Sequence, residues 1–373
     1  VPLKEMGHEV HYLLIGKGTK TGVTKEGIAY QMFKLKTFTK NRYLNFVLKR
    51  LNPNDNYKKL FRAAMDLEAD IYHFHDLWIN RIGKRLKNLR HRPVVFYDAR
   101  EPYAEDFISY TKPWPGFGVL IGLFANLVDR WEKKKAKHYD LVIANEATVR
   151  EHFASKIGKE RTAVLYNYSN LYPDDQPVSF EDKKYDLIYC GGISELRGAF
   201  MILKALKKAR KHKKGIQLAF LGNYYPPGLK QEMHAYLEKI DLTENVHLLD
   251  AVPYRQVADY YEQSKIGLVL LQQVKTFEVS LPIKIFEYMM FGLPVIGSDF
   301  GHIKKYITKD RCGVLVAPDD TDQIAKAMTE LLSDRQLYNE YSENGRKAAI
   351  SKYRWDLELK KLIDHYKSAL DGR

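Results

Sequence analysis

From residue 185 to residue 352, short apolar runs alternate with longer stretches of helical periodicity, and this alternation leaves few architectures open to the chain. The short runs lie at 185–190, 216–221, 246–249, 266–271, 294–298 and 313–316. Between and after them, apolar residues recur at helical spacing over 200–213, 229–240, 254–263, 283–290, 321–333 and 337–352. A short strand that is apolar throughout is buried on both faces, and strands joined by helices pair in parallel. The pattern predicts an α/β fold with a doubly wound parallel sheet.

The first half repeats the theme with strand-like runs at 8–15, 28–35, 70–75, 93–98, 141–144 and 163–166, and helical patterns at 56–67 and 120–138. It opens differently. Residues 1–7 read as the last turn of a helix capped by Gly7 and feeding the strand that follows. A doubly wound domain ordinarily starts with a strand and a glycine-containing loop ahead of that helix, so a first strand is expected to be missing from this sequence. Residues 169–184 are rich in Ser, Asn, Pro and Asp and read as a linker. The expected division is a domain over 1–168, the linker, a second domain over 185–352 and an amphipathic closing helix over 353–373.

Composition narrows the setting. The two cysteines, Cys190 and Cys312, sit in apolar or glycine-rich contexts without metal-like spacing, which fits a reducing compartment. No apolar stretch is long enough to span a bilayer, and the first residues lack the apolar core of a signal peptide. The net charge of +14 is lopsided: residues 1–170 hold 30 Lys+Arg against 18 Asp+Glu, and residues 171–373 hold 30 against 28. A basic half is either a solvated surface or one that approaches an anionic partner, such as a membrane surface or a phosphate-bearing acceptor. No nucleic-acid-binding module is recognisable. Trp114, Phe117, Leu120, Ile121 and Phe124 run into Lys133, Lys134, Lys135 and Lys137, a pattern that suits a membrane-facing amphipathic segment or a helix packed on its own sheet.

The chemistry concentrates in Leu281-Pro282-Ile283-Lys284-Ile285-Phe286-Glu287-Tyr288-Met289-Met290-Phe291-Gly292-Leu293-Pro294. Proline sets a helix start. Lys284 and Glu287, three apart, share a face near that start, while Phe286 and Met290 turn to the core. A helix opening at the carboxyl edge of a parallel sheet suits an anion, and a carboxylate one turn in can accept from two ribose hydroxyls. The bland alternative is a surface Lys–Glu pair. A second constellation, Tyr189-Cys190-Gly191-Gly192-Ile193-Ser194-Glu195-Leu196-Arg197-Gly198, ends a strand in two glycines that admit close backbone approach and follows with an arginine able to clasp a diphosphate. Phe220-Leu221-Gly222-Asn223 and Val246-His247-Leu248-Leu249-Asp250-Ala251-Val252-Pro253-Tyr254 supply two further strand-to-loop transitions.

These four segments, in this order, resemble glycosyltransferase family 4 of the GT-B fold, in the branch whose donor motif reads Pro-x-Lys-x-Phe-Glu-Tyr, here Pro282, Lys284, Phe286, Glu287 and Tyr288. The resemblance covers essentially residues 1–370. It implies two Rossmann-like domains facing across a cleft, with a C-terminal helix crossing back to the first, and a nucleotide-sugar donor in the second. Glu287 then takes the ribose; Arg197, Lys284, Gly191, Gly192 and the backbone near Ser280 take the diphosphate; Gly222 belongs to the next loop, and backbone near Val252 reads the base. The family's earlier glutamate has no match: position 279 is Val279, with Glu278 out of register by one.

In the first half, Tyr72-His73-Phe74-His75-Asp76 resembles the family's His-x-His-Asp segment, which assigns His75 and Asp76 to the acceptor or the transferred sugar. Without a third ligand at suitable spacing, a metal reading of the two histidines is not favoured. Tyr97-Asp98-Ala99-Arg100-Glu101 stands where family members carry Asp-x-His-Glu; Arg100 cannot serve as a base, but can stabilise charge on a leaving diphosphate or bind an anionic acceptor, with Glu101 beside it. Asp320-Thr321-Asp322 reads as a helix cap, so no cofactor and no catalytic metal are expected. The resemblance implies a hexosyltransferase-type enzyme that uses a UDP-sugar or related donor, retains anomeric configuration and modifies a glycan or lipid-linked acceptor in bacterial cell-surface polysaccharide synthesis. Its expected place is cytoplasmic, peripheral to the inner face of the membrane. Two rivals are a GT-B-fold sugar-nucleotide epimerase, which needs no acceptor, and a non-catalytic nucleotide-binding assembly protein.

Overall fold

A computed structural model gives the fold and describes residues 2–34, 55–99, 103, 118–173 and 178–372. The chain divides into two compact units, one of residues 1–165 and 363–373, the other Tyr166–Leu362.

The first unit holds helix α1 (Pro2–Glu5), strands β1 (His11–Gly16), β2 (Lys20–Val23) and β3 (Ala29–Lys34), and helix α2 (Asp55–Asp66). Then come β4 (Ile71–His75), α3 (Asn80–Lys87), β5 (Val94–Ala99), α4 (Gly118–Ala136), β6 (Leu141–Ala144), α5 (Ala147–Ile157) and β7 (Thr162–Val164). Among the described residues its strands form two sheets rather than one: β1-β3-β2, and β4-β5-β6-β7 with all pairings parallel. β2 runs antiparallel to β3 and was not anticipated, because Lys20-Thr21-Gly22-Val23 carries no apolar alternation. Helix α5 also escaped the sequence reading; Val149, Phe153, Ala154 and Ile157 are its buried face, and Glu146 caps it by accepting from the Thr148 N–H at 2.9 Å. Tyr72, Phe74, Tyr97, Tyr139, Phe153 and Leu86 pack in the core between β4–β7 and these helices.

The second unit holds β8 (Tyr185–Cys190), α6 (Ala199–Ala209), β9 (Leu218–Leu221), α7 (Leu229–Ile240), β10 (Val246–Leu249), α8 (Val257–Glu262) and β11 (Ser264–Val269). It continues through α9 (Lys275–Val279), α10 (Lys284–Met290), β12 (Val295–Ser298), α11 (Gly301–Asp310), β13 (Gly313–Val316), α12 (Thr321–Ser333), α13 (Arg335–Lys352) and α14 (Trp355–Asp371). Its six strands form one parallel sheet in the order β10-β9-β8-β11-β12-β13. Alternate residues of β8 face opposite cores. Leu187 and Tyr189 pack with α6, α7 and α12, whereas Ile188 and Cys190 pack with α10, α11 and α13. The strand order reverses between β8 and β11, and open α/β sheets bind ligands outside the carboxyl ends of the strands at such a reversal.

The junction between the first domain as read from the sequence and the start of the linker is anchored. Tyr168, Ser169 and Leu171 are buried, and the Tyr168 ring packs edge-on against Phe286 at 4.8 Å between centroids. The closing helix α14 starts in the second unit, where the buried Glu358 carboxylate accepts from the Tyr166 N–H at 3.0 Å, and from Ile363 onward it belongs to the first.

Packing beneath the β8 edge is tight enough to test. A Cβ at Gly267 in β11 would lie 2.3 Å from the fully buried Tyr288 ring, whose hydroxyl accepts from the Cys190 N–H at 3.0 Å. Gly267→Ala is expected to lower stability by about 1–3 kcal/mol through overpacking, read as a shifted urea midpoint. An unshifted midpoint would mean that the ring is not held against β11.

Candidate active site

The carboxyl end of β8 runs into Gly191 and Gly192, and that of β9 into Gly222. These loops touch backbone to backbone. Gly222 sits at φ +152°, and a Cβ there would fall 1.8 Å from the Gly191 carbonyl oxygen. Gly191 lies at φ +122° and donates its N–H to Leu221 at 2.9 Å. Farther out, Ile193 donates to the Asn223 carbonyl at 2.8 Å and Gln272, beyond β11, donates to Leu196 at 2.9 Å. The 191–198 loop is thus clasped from both sides of the strand-order reversal.

Lys284 fills that place with charge. Its Nζ lies 3.2 Å from where a Cβ on Gly191 would be and 3.8 Å from the Tyr189 ring centroid. The ammonium is buried and has no hydrogen-bond partner among the described residues, and no ion pair joins it to Glu287. The aromatic face offsets part of the desolvation cost, but a cation without an acceptor remains expensive to bury. Arg197 approaches the same glycines: its Nη1 lies 3.4 Å from the Cβ position of Gly192, and its guanidinium rests 5.8 Å over Phe277. Two cations therefore converge on Gly191-Gly192. Helix α10 has only seven residues, so side-chain charge, rather than a long helix dipole, makes this spot attractive to an anion. The Ser280 N–H, expected to face phosphate, already donates to Thr276 at 3.0 Å.

One turn into α10, Glu287 is buried and held by two phenols. Tyr254 donates to Oε1 and Tyr261 to Oε2, each at 2.7 Å. Burial first, and then the adjacent carboxylate, push the Tyr254 hydroxyl well above its ordinary pKa; burial dominates at Tyr261 too, with Cys190 and Glu287 adding to it. Both phenols stay protonated donors. Each carboxylate oxygen keeps a further lone pair, and Tyr254, beside Oε1, is 46% exposed. Val252 is half-buried in the loop after β10 and packs on the same core as Tyr261. Gly191, Gly192, Arg197, Gly222, Lys284 and Glu287 are thus gathered at one edge of one sheet. Sequence reasoning missed Tyr254 and Tyr261 as partners of the glutamate; the available signal was that a buried carboxylate requires donors.

In the first unit, His73 and His75 project on one face of β4, and Asp98 stands opposite His75 on β5. His75 Nδ1 lies 2.8 Å from Asp98 Oδ2, the two imidazoles stack at 4.8 Å, and His73 Nδ1 meets the Tyr366 hydroxyl at 2.5 Å. The possible ligand atoms of His73, His75 and Asp98 lie within 4.8 Å of one another, so this group, with a third member that sequence spacing did not reveal, has the donor set for a metal ion. The 2.8 Å contact is equally a complete hydrogen bond in its own right. Asp76 follows at φ +74°, a strained conformation for a residue with a Cβ, and accepts from the Tyr103 hydroxyl at 3.0 Å. Arg100 and Glu101 lie outside the described residues.

Residues 173–348 match the family model described as Glycosyl transferases group 1. An uncharacterized glycosyltransferase of Methanocaldococcus jannaschii is 21% identical over 387 residues, covering 98% of this chain and 91% of that protein. Among solved structures, Anabaena Alr3699/HepE in complex with UDP and glucose superposes with a TM-score of 0.68 at 16% identity, over 96% of this chain and 100% of that one. WaaG, a glycosyltransferase involved in lipopolysaccharide biosynthesis, gives 0.66 at 16% identity, over 96% and 92%. At such identities the structural likeness establishes the GT-B fold alone.

The unpartnered ammonium makes a two-sided prediction. Lys284→Met should leave urea stability unchanged or raised, because a buried unpaired charge is replaced by an apolar chain. It should weaken inorganic pyrophosphate binding, measured by calorimetry, roughly ten- to hundredfold. Unchanged pyrophosphate affinity would remove Lys284 from the anion site.

Proposed function

Starting from a glycosyltransferase of the GT-B fold whose residues 173–348 match the group 1 family, we propose that the chain is a retaining family 4 enzyme of the Pro-x-Lys-x-Phe-Glu-Tyr branch. It moves a hexose from a nucleotide-diphosphate donor, in our reading a UDP-sugar, to a glycan or lipid-linked acceptor in bacterial cell-surface polysaccharide synthesis. The observation that carries the donor assignment is the buried Lys284 ammonium, without an acceptor among the described residues and aimed at Gly191.

In this reading the diphosphate lies over Gly191-Gly192 between Lys284 and Arg197, where its oxygens give Lys284 its acceptor and meet the Arg197 guanidinium. The ribose hydroxyls donate to the free lone pairs of Glu287, whose orientation Tyr254 and Tyr261 fix. Backbone near Val252 receives the base, and Gly222 keeps its loop clear of the phosphates. As the bond to the anomeric carbon breaks, negative charge grows on the leaving diphosphate, and two fixed cations stabilise that charge more than they stabilise the intact donor. The same diphosphate takes the proton of the acceptor hydroxyl, and the hydroxyl attacks from the face the diphosphate leaves, which retains configuration. His75, Asp76, Arg100 and Glu101 are assigned to the acceptor and transferred sugar.

No catalytic metal enters this reading: Lys284 and Arg197 supply the positive charge that a metal would bring, and His75 and Asp98 satisfy one another. Among the described residues no helix is long and apolar enough to cross a membrane. We place the enzyme in the cytoplasm, at the inner face of an anionic membrane, where lipid-linked acceptors are presented.

Thermal unfolding tests the donor site. UDP at about a hundredfold excess over its Kd should stabilise the protein by about 2.7 kcal/mol, and Glu287→Ala should lose most of that gain. A shift that survives Glu287→Ala would move the site elsewhere. Incubation with labelled UDP-sugar should give transfer only when acceptor is added, and proton NMR of the product should show the donor's anomeric configuration. Sugar interconversion without acceptor would instead mark an epimerase.

A further inference from the structure

The most apolar exposed surface among the described residues lies on one helix. On α4, Val119 (74% exposed), Leu120 (57%), Leu123 (56%) and Leu127 (63%) recur along a single face, with Phe124 beside them. The opposite face, Ala125, Val128, Glu132 and Ala136, is buried. Farther along, the exposed face changes character: three and seven residues after Leu127 stand Arg130 and Lys134, both exposed and without an ion pair among the described residues. The stripe thus reads apolar over its first turns and cationic over its last.

The cationic end is extended by neighbours. Trp131 lies beside Trp78 at 6.4 Å between ring centroids; Lys135 Nζ sits 5.7 Å over Trp131, and the Arg81 guanidinium 5.7 Å over Trp78. Lys84, one turn along α3 from Arg81, is exposed. Partial burial lowers the Lys135 pKa, and Lys84, Lys134 and Arg81 lower it further. His138 is lowered by burial and then by Lys84, Lys135, Arg161 and Lys134. These cations lie close enough to repel one another, and among the described residues none of Arg81, Lys84, Arg130, Lys134 and Lys135 forms an ion pair. Asp129 is engaged with Lys133 at 2.9 Å and His152 at 2.5 Å.

We propose that α4 docks on an anionic lipid bilayer, with the Val119–Leu127 stripe inserted among the acyl chains and Arg130, Lys134, Lys135, Lys84 and Arg81 at the headgroup phosphates. Large aliphatic side chains continuous with tryptophan and a lysine–arginine cluster match the depth profile of a bilayer interface. Charge complementarity selects a lipid surface over a second copy of this chain, because a copy would bring the same cations to its own stripe. At about 1.5 Å per residue the helix is roughly 28 Å long, enough to present both regions at once when lying in the interface. This inference gives a surface to the membrane placement proposed above and does not depend on the donor site.

Co-sedimentation of the full chain with vesicles provides the test. The protein should pellet with phosphatidylglycerol–phosphatidylcholine vesicles and not with phosphatidylcholine alone, and high salt should reverse most of the binding. Leu123→Glu with Leu127→Glu, and separately Arg130→Glu with Lys134→Glu, should each weaken binding by on the order of tenfold or more. All four positions are exposed, so the UDP-induced thermal shift should survive in both variants; loss of vesicle binding with that shift intact separates docking from the donor reading. Leu357→Glu, an exposed apolar position in the second unit, should bind vesicles like the unaltered chain. Failure to bind anionic vesicles, equal binding by the α4 variants, or lipid-independent dimerisation that the Leu123/Leu127 change abolishes would overturn the proposal.

Discussion

A buried ammonium that finds no acceptor among the described residues organises the second unit. Lys284 sits where a side chain on Gly191 would crowd its ammonium, over the negative face of the Tyr189 ring, on a helix that begins beside the strand-order reversal. Each feature draws on a different part of the chain. Gly222 must also lack a side chain, so that the β9 loop can lie against Gly191. Tyr288 must reach back from α10 to hold the Cys190 amide at the end of β8. The sheet sets where the cation is; the cation determines that an anion belongs there.

Glu287 shows the complementary logic. A carboxylate buried in this core is costly without donors, and two phenols whose deprotonation burial suppresses supply them. A negative group fixed one turn beyond a positive one can sort a ligand's parts, with phosphate toward Lys284 and hydroxyls toward Glu287. Neither side chain neutralises the other, and that separation distinguishes the pair from an ordinary helical salt bridge.

Much of this edge is legible in the sequence, because its elements are local. Pro282, Lys284, Phe286, Glu287 and Tyr288 announce a helix start and its two faces, and Gly191-Gly192 announces a loop that admits close approach. Phe286 and Met290 are buried as their spacing requires. What stayed hidden depends on tertiary proximity. Tyr254 and Tyr261 precede Glu287 by 33 and 26 residues, and only the fold brings their hydroxyls to it. Asp98 becomes the partner of His75 only through the β4–β5 register. The anchoring of Tyr168 was invisible because polar neighbours dilute its segment, and β2 because four residues centred on Thr21-Gly22 have no pattern to read.

The central claim is that a donor's diphosphate meets Lys284 over the paired glycines. A crystal structure of the chain with UDP bound tests it directly. The account predicts β-phosphate oxygens within hydrogen-bonding distance of Lys284 Nζ and Arg197, with the ribose hydroxyls on the Glu287 carboxylate. Phosphates bound away from Gly191, with Lys284 still lacking an acceptor, would contradict it.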